Sequence, residues 1–224
     1  RYGSQIHTHY PKTITEEIAI MDQERCHFPD EDTLVIPDFI KEILAEITAQ
    51  ARNSSEINQR SGVSVRVSIS NYETLLSNSV RRAIRQDNNV ACPRVSDLPY
   101  IMASFGGKIE LETFEEGREG RVMEDLIKRA VLRVFGSYLD VDDLEDIVLS
   151  FDLGNSAETG SEKHAAEYPE MIKSLDGLSV AVKKITGDQR PEVVASAVEF
   201  VLEGLHLNRK LNCQRTPMGY LYNR

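Results

Sequence analysis

The chain has 224 residues, 41% of them hydrophobic, which suffices for one sizeable core or for two small ones joined by a polar linker. Its formal net charge of −10 makes nucleic acid an unfavourable partner for the chain as a whole, because phosphate neutralisation needs an excess of Lys and Arg. There is no apolar run of about 18 residues to span a membrane, no signal-peptide hydrophobic region and no start Met. The three cysteines, Cys26, Cys92 and Cys213, are scattered without CxxC spacing. The expectation is a cytoplasmic protein that begins within a longer chain and uses its cysteines for packing or surface.

In chain order, Ile6 and Tyr10 alternate with polar neighbours as in a short strand, which Pro11 closes. Thr13 and Glu16 have capping-box spacing, and Ile14, Ile18 and Met21 recur at helical intervals, so a helix is predicted over about 13–25. After a loop bounded by two prolines, Pro37 at a first helical position and the stripe Ile40, Ile43, Leu44 and Ile47 predict a second helix over about 37–52. From Ser64 to Arg85, Ile69, Tyr72, Leu76, Val80 and Ala83 keep one face apolar, giving a long third helix. Ser96 and Asp97 cap a short fourth helix that Gly106 and Gly107 end.

The polar, Gly-punctuated stretch around Glu115, Gly117 and Gly120 is read as a soft boundary. Beyond it, Met123 to Tyr138 and Leu144 to Phe151 are helical by periodicity, and residues 154–167 lack apolar periodicity and are taken as a flexible loop. A short helix through Leu178 and Ile185 follows, then one started by Pro191 and running through Leu205. The tail from Leu207 carries no predicted element, and there is no internal repeat.

The motifs exclude more than they identify. A phosphate-binding loop needs G-x-x-x-x-G-K-[ST]; around Gly107 and Lys108, Met102 replaces the first glycine and Ile109 the Ser or Thr, so the chain builds no such site. Asp152 ends an apolar run, but the spacing is helical, and it is read as a helix-end residue. His7 with His9 and Cys26 with His27 are pairs that could ligate zinc, yet their spacing matches no established pattern. No G-x-S-x-G or H-E-x-x-H occurs, and Asp142 with Asp143 reads as an acidic turn. Arg81, Arg82 and Arg85, and Arg209, Lys210, Arg215 and Arg224, form short basic groupings read as solvated faces or partner contacts.

The segment Arg60 to Ala83, RSGVSVRVSISNYETLLSNSVRRA, resembles the lid-domain helix of magnesium-chelatase-like, MoxR-related AAA+ ATPases. The opening RYGSQIHTHYPKT is similar to the end of the ATPase core in that family, and LPYIMASFGGKIELE and VEFVLEGLHLNRKLN are similar to stretches of its longer bacterial members. The resemblance implies a mainly α fold: residues 1–10 as the last strand of the core, 11–115 as a helical lid, and 116–224 as a second helical subdomain for partner contact. It implies that Arg66 is the sensor 2 arginine, which leans on nucleotide phosphates, and that Arg1 is the arginine closing the core.

The planar, permanently charged guanidinium suits such a phosphate contact. Without the resemblance, Arg66 reads as an exposed residue or an ion-pair partner of Glu73 or Asp22. ATP and Mg2+ are then expected in the full-length protein and no cofactor in this chain alone. The expected partners are its own N-terminal ATPase core, further copies in a ring, and an unidentified protein. The competing reading is a standalone helical adaptor that binds another protein without nucleotide.

Overall fold

A computed structural model describes residues 3–29, 31–112 and 117–224. The chain is mainly helical, with one small antiparallel sheet. Helix α1 (Ile14–Glu24) starts as its sequence dictates: the Thr13 hydroxyl accepts the Glu16 amide at 3.1 Å, while the Glu16 carboxylate accepts the Lys12 amide at 2.7 Å. Helix α2 (Asp38–Arg52) begins one residue after Pro37, which is its cap and not its first residue. Helix α3 (Val65–Arg85) is capped by Ser64, whose hydroxyl accepts the Arg66 amide at 3.2 Å.

The fourth predicted helix is mostly a 3₁₀ segment, Val95–Ile101, passing into the single turn α4 (Met102–Phe105). Pro99 has no amide to donate, and the Asp97 carboxylate folds back onto the Arg94 amide at 2.9 Å, which moves the start to Arg94.

Helix α5 (Arg118–Tyr138) starts just after Gly117, earlier than its apolar stripe suggests. A 3₁₀ turn, Val141–Leu144, leads into α6 (Glu145–Asp152). Helices α7 (Tyr168–Ser174), α8 (Leu178–Ile185) and α9 (Pro191–Leu207) complete the helical part. Helix α7 is an addition to the sequence reading: a seven-residue helix with Pro169 in its first turn is too short to show periodicity.

Three strands correct the expectations. Residues 3–10 form no strand, and Ile6 is 83% exposed, so its alternation with polar neighbours has no sheet to face. The segment expected to be flexible contains β1 (Ala157–Thr159), whose Ala157 and Thr159 are buried. The tail forms a hairpin of β2 (Asn212–Thr216) and β3 (Gly219–Asn223). The sheet order is β1-β3-β2, all antiparallel, with Ala157 opposite Tyr222 and Cys213 opposite the same tyrosine. Gly160 and Gly219 bring β1 and β3 so close that a Cβ at position 219 would overlap the Thr159 carbonyl.

Helix α9 is apolar almost all round and is the hub of the core. Its Phe200 stacks on Phe39 of α2 with ring centroids 4.4 Å apart and meets Phe135 of α5 edge-on at 5.8 Å. At Gly204 the ring of Phe135 occupies the space a Cβ would need, so α5 and α9 approach closely there. One hydrophobic cluster therefore runs from Met21 to Tyr222, passing the soft boundary near 115, a residue that lies outside those described. Among the described residues no helix is long and apolar enough to cross a membrane.

Candidate functional site

The first turn of α3 is held by a buried polar group beneath it. Glu17 of α1, 2% exposed, accepts two bonds from Arg52 of α2, at 2.8 and 3.0 Å, and one from the Ser68 hydroxyl of α3. The Ser68 and Thr48 hydroxyls lie 2.8 Å apart, and Arg52 Nε donates to the Val63 carbonyl at 2.9 Å. A carboxylate in such a place is tolerable only with a cation and hydrogen bonds around it, and Glu17 has both. The chain entering from the N-terminal side docks at the same point: the Tyr10 hydroxyl accepts the Val63 amide at 3.1 Å, and the Arg52 guanidinium lies 4.6 Å over the Tyr10 ring. Gly62, at φ +71°, turns the backbone where a side chain would strike that hydroxyl.

Arg66 stands outside this network. It is exposed, and among the described residues its guanidinium has neither a hydrogen bond nor an ion pair. The acids considered for it are engaged elsewhere: Glu73 accepts the Cys26 amide at 2.8 Å, and Asp22 pairs with Lys41 at 2.8 Å and accepts the Tyr72 hydroxyl at 2.9 Å. The first turn of α3 carries no acidic residue. An unpaired cation thus sits at the positive end of a long helix, where the macrodipole disfavours it and an anion would relieve it. Arg1 lies outside the described residues.

The other end of α3 is different. Arg82 is buried and gives Asp97 two bonds, at 2.8 and 3.3 Å, and the Cys92 carbonyl one at 2.7 Å. Burial works against its charge, but Asp97 more than offsets this and its pKa lies above the ordinary value. Arg85 binds Glu162, and Arg81 binds Asn78 while lying 5.2 Å over the Tyr100 ring, so the expected basic strip is three separately engaged side chains.

Deeper still, Arg94 is fully buried. Its Nη1 donates to the Lys163 carbonyl at 2.9 Å and lies 3.9 Å from Glu199, and its Nε and Nη2 have no partner. Glu199 accepts the Tyr168 hydroxyl at 2.6 Å and the Ser96 amide at 2.9 Å. Burial, and then the charge of Glu199, drive the Tyr168 pKa well above its ordinary value. Sequence reasoning missed this network because Arg94 and Glu199 are far apart in the chain, and neither stands in a motif.

The remaining sequence candidates are not brought together. His7 and His9 are exposed on the N-terminal segment, and His27 faces Glu31 at 3.7 Å. Among the described residues no group of three or more His, Cys, Asp or Glu could hold a metal ion. Asp152 ends α6, as read, and binds Arg224 at 2.7 Å. Lys108, from the incomplete Gly-Lys pair, donates to the Ser104 carbonyl at 2.8 Å.

Several clefts lie elsewhere than Arg66, among them one of about 660 Å³ between residues 53–56 and α5. One of about 600 Å³ is lined by the N-terminal segment, α1, α2 and α5. Another, of about 540 Å³, lies among α5, the 3₁₀ segment Val95–Ile101, α9 and the terminal hairpin. Compared with family models, curated proteins and solved structures, the chain has no match, so its resemblance to magnesium-chelatase-like ATPases rests on the residues quoted for it.

Proposed function

We propose that this chain is the lid and C-terminal region of an AAA+ ATPase of the magnesium-chelatase-like type, in which Arg66 reads the nucleotide phosphates. The observation that carries this reading is the free guanidinium of Arg66 in the first turn of α3, with the rest of that turn anchored through Ser68 to Glu17 and Arg52. An anchored helix end with one unpaired cation can engage and release an anion without repacking. Nucleotide bound between a core and this lid would then make different contacts in open and closed states, and that difference is what moves a lid.

This chain supplies one arginine and a helix N-terminus to such a site. It has no glycine-rich loop to cradle phosphates, so ATP and Mg2+ would be held by the upstream core, and ring contacts with further copies would lie largely there. A cytoplasmic location follows from this reading. Docking of the N-terminal segment against Val63 supports it, because chain arriving from a core would enter beside Arg66.

The test is made on the full-length protein. Arg66→Ala should reduce ATP turnover at least tenfold, equivalent to about 1.4 kcal/mol, with the lid still folded. Isothermal titration of the present chain alone should show no micromolar ATP binding, since one guanidinium leaves most phosphate oxygens unpaired. Wild-type turnover in Arg66→Ala would overturn the assignment, and a full-length protein without an ATPase core would favour the adaptor reading.

A further inference from the structure

The cavity of about 540 Å³ beside α9 is electrically polarised from floor to mouth. Exposure gives the depth of its lining groups. Glu199 and Tyr222 are each 2% exposed and Glu203 is partly buried, whereas Arg121 and Arg215 are exposed. Glu199 and Glu203 are one helical turn apart on α9, so both carboxylates lie on one face. Glu203 accepts the Tyr222 hydroxyl at 2.7 Å and, among the described residues, forms no ion pair, although its charge reaches Lys128; Glu199 lies 3.9 Å from Arg94, and its charge also reaches Arg82.

At the mouth the imbalance is reversed. Lys128 is paired with Glu124 at 2.7 Å, but among the described residues Arg121 and Arg215 have no ion pair. Between floor and mouth the walls are apolar, with Leu98 and Met102 on one side and Ile127 and Val131 of α5 on the other. Ser96, nine-tenths buried, also lines the cavity, and its hydroxyl has no partner although its amide is bound to Glu199.

A ligand complementary to this arrangement carries a cation at one end, an anion at the other and an apolar body between. A cavity of this volume is on the order of 10 Å across and within the usual range for small-molecule sites. Two or three extended residues cover about that distance, at roughly 3.3 to 3.6 Å each. We propose that this cavity binds a short apolar peptide with free termini, its ammonium group at Glu199 and Glu203 and its carboxylate at Arg121 and Arg215. The site is formed by α5, α9 and the terminal hairpin together with the Val95–Ile101 segment and is independent of Arg66.

Isothermal titration of the chain with leucyl-leucine, N-acetyl-leucyl-leucine and leucyl-leucinamide tests this, since the capped probes each remove one charge and keep the apolar body. Leucyl-leucine should bind at least tenfold more tightly than either capped form. Glu203→Gln should erase the preference for the free amine, and Arg215→Ala, an exposed substitution that leaves the fold intact, should erase the preference for the free acid. Equal binding of the three probes, no binding of any at millimolar concentration, or preferences that survive both substitutions would overturn the proposal.

Discussion

Arg66 and Arg82 belong to one helix, α3, and their guanidiniums meet opposite environments. Arg66 is exposed and, among the described residues, has no partner, over a turn fastened from beneath by Ser68, Glu17 and Arg52. Arg82 is enclosed, with its Nε and Nη2 donating to Asp97 and the Cys92 carbonyl. The same residue type is thus an exposed charge at one end and a structural tie at the other. The difference lies in the elements packed around it, because a buried cation needs a counter-charge and acceptors that an exposed one finds in water.

The largest effect should come from the buried end. Arg82→Ala strips the cation from Asp97, which is fully buried and also holds Asn78 and the Arg94 amide, so the cost should be about 3–5 kcal/mol in urea unfolding. A loss below about 1 kcal/mol would show that water or a rearranged neighbour replaces it.

Midway along the helix, Leu76→Ala and Ile69→Ala sharpen the contrast between core and margin. Leu76 is fully buried, and its truncation should cost about 2–5 kcal/mol through a cavity. Ile69 is only partly buried and lies outside the core cluster, so its truncation should cost about 1 kcal/mol. Equal losses at the two positions would place the packing face of α3 elsewhere.

Alkali should also distinguish the ends. Burial pushes the Cys92 thiol up from 9.0 to about 12, despite the opposing charges of Arg82 and Arg94. The folded state then holds its proton more tightly than the unfolded chain does. The stability it contributes is complete below pH 9.0 and is lost as the pH rises towards about 12. Urea midpoints across that range should fall, and Cys92→Ala should make the fall shallower; an unchanged slope would remove Cys92 from the account. The smallest effect belongs to Arg66→Ala, which should alter stability by less than about 0.5 kcal/mol, since the side chain is exposed and, among the described residues, has neither a hydrogen bond nor an ion pair. Destabilisation beyond that would mean that Arg66 is a structural residue.

Much of the helical scaffold is legible from local signals. Thr13 with Glu16, Ser64 before Val65, and Pro191 each place a helix start correctly, because caps act over one turn and need no tertiary partner. The register of α3 was less accessible. Periodicity selects Ile69 and Val80 for the core, whereas the face that packs carries Ser68, Asn71, Asn78, Ser79 and Arg82 beside Tyr72, Leu75 and Leu76. A buried polar stripe has no hydrophobic signature; it is tolerated because Glu17, Thr48 and Asp97 arrive from other elements.

The sequence by itself determined that the chain is mainly helical, that it lacks the G-x-x-x-x-G-K-[ST] motif, and that Arg66 falls in the first turn of a long helix. Those properties depend on composition, spacing and caps, which act within a few residues. Tertiary structure alone decided that Arg66 is free while Arg82 is buried. It also decided that residues 3–10 form no strand and that the tail forms the hairpin which completes a sheet with Ala157–Thr159. Arg94 could be placed beside Glu199, and both carboxylates of α9 at the floor of a cavity, only by folding. Strand pairing and buried ion pairs join residues distant in the chain, and their energy comes from excluding water, which no local pattern records.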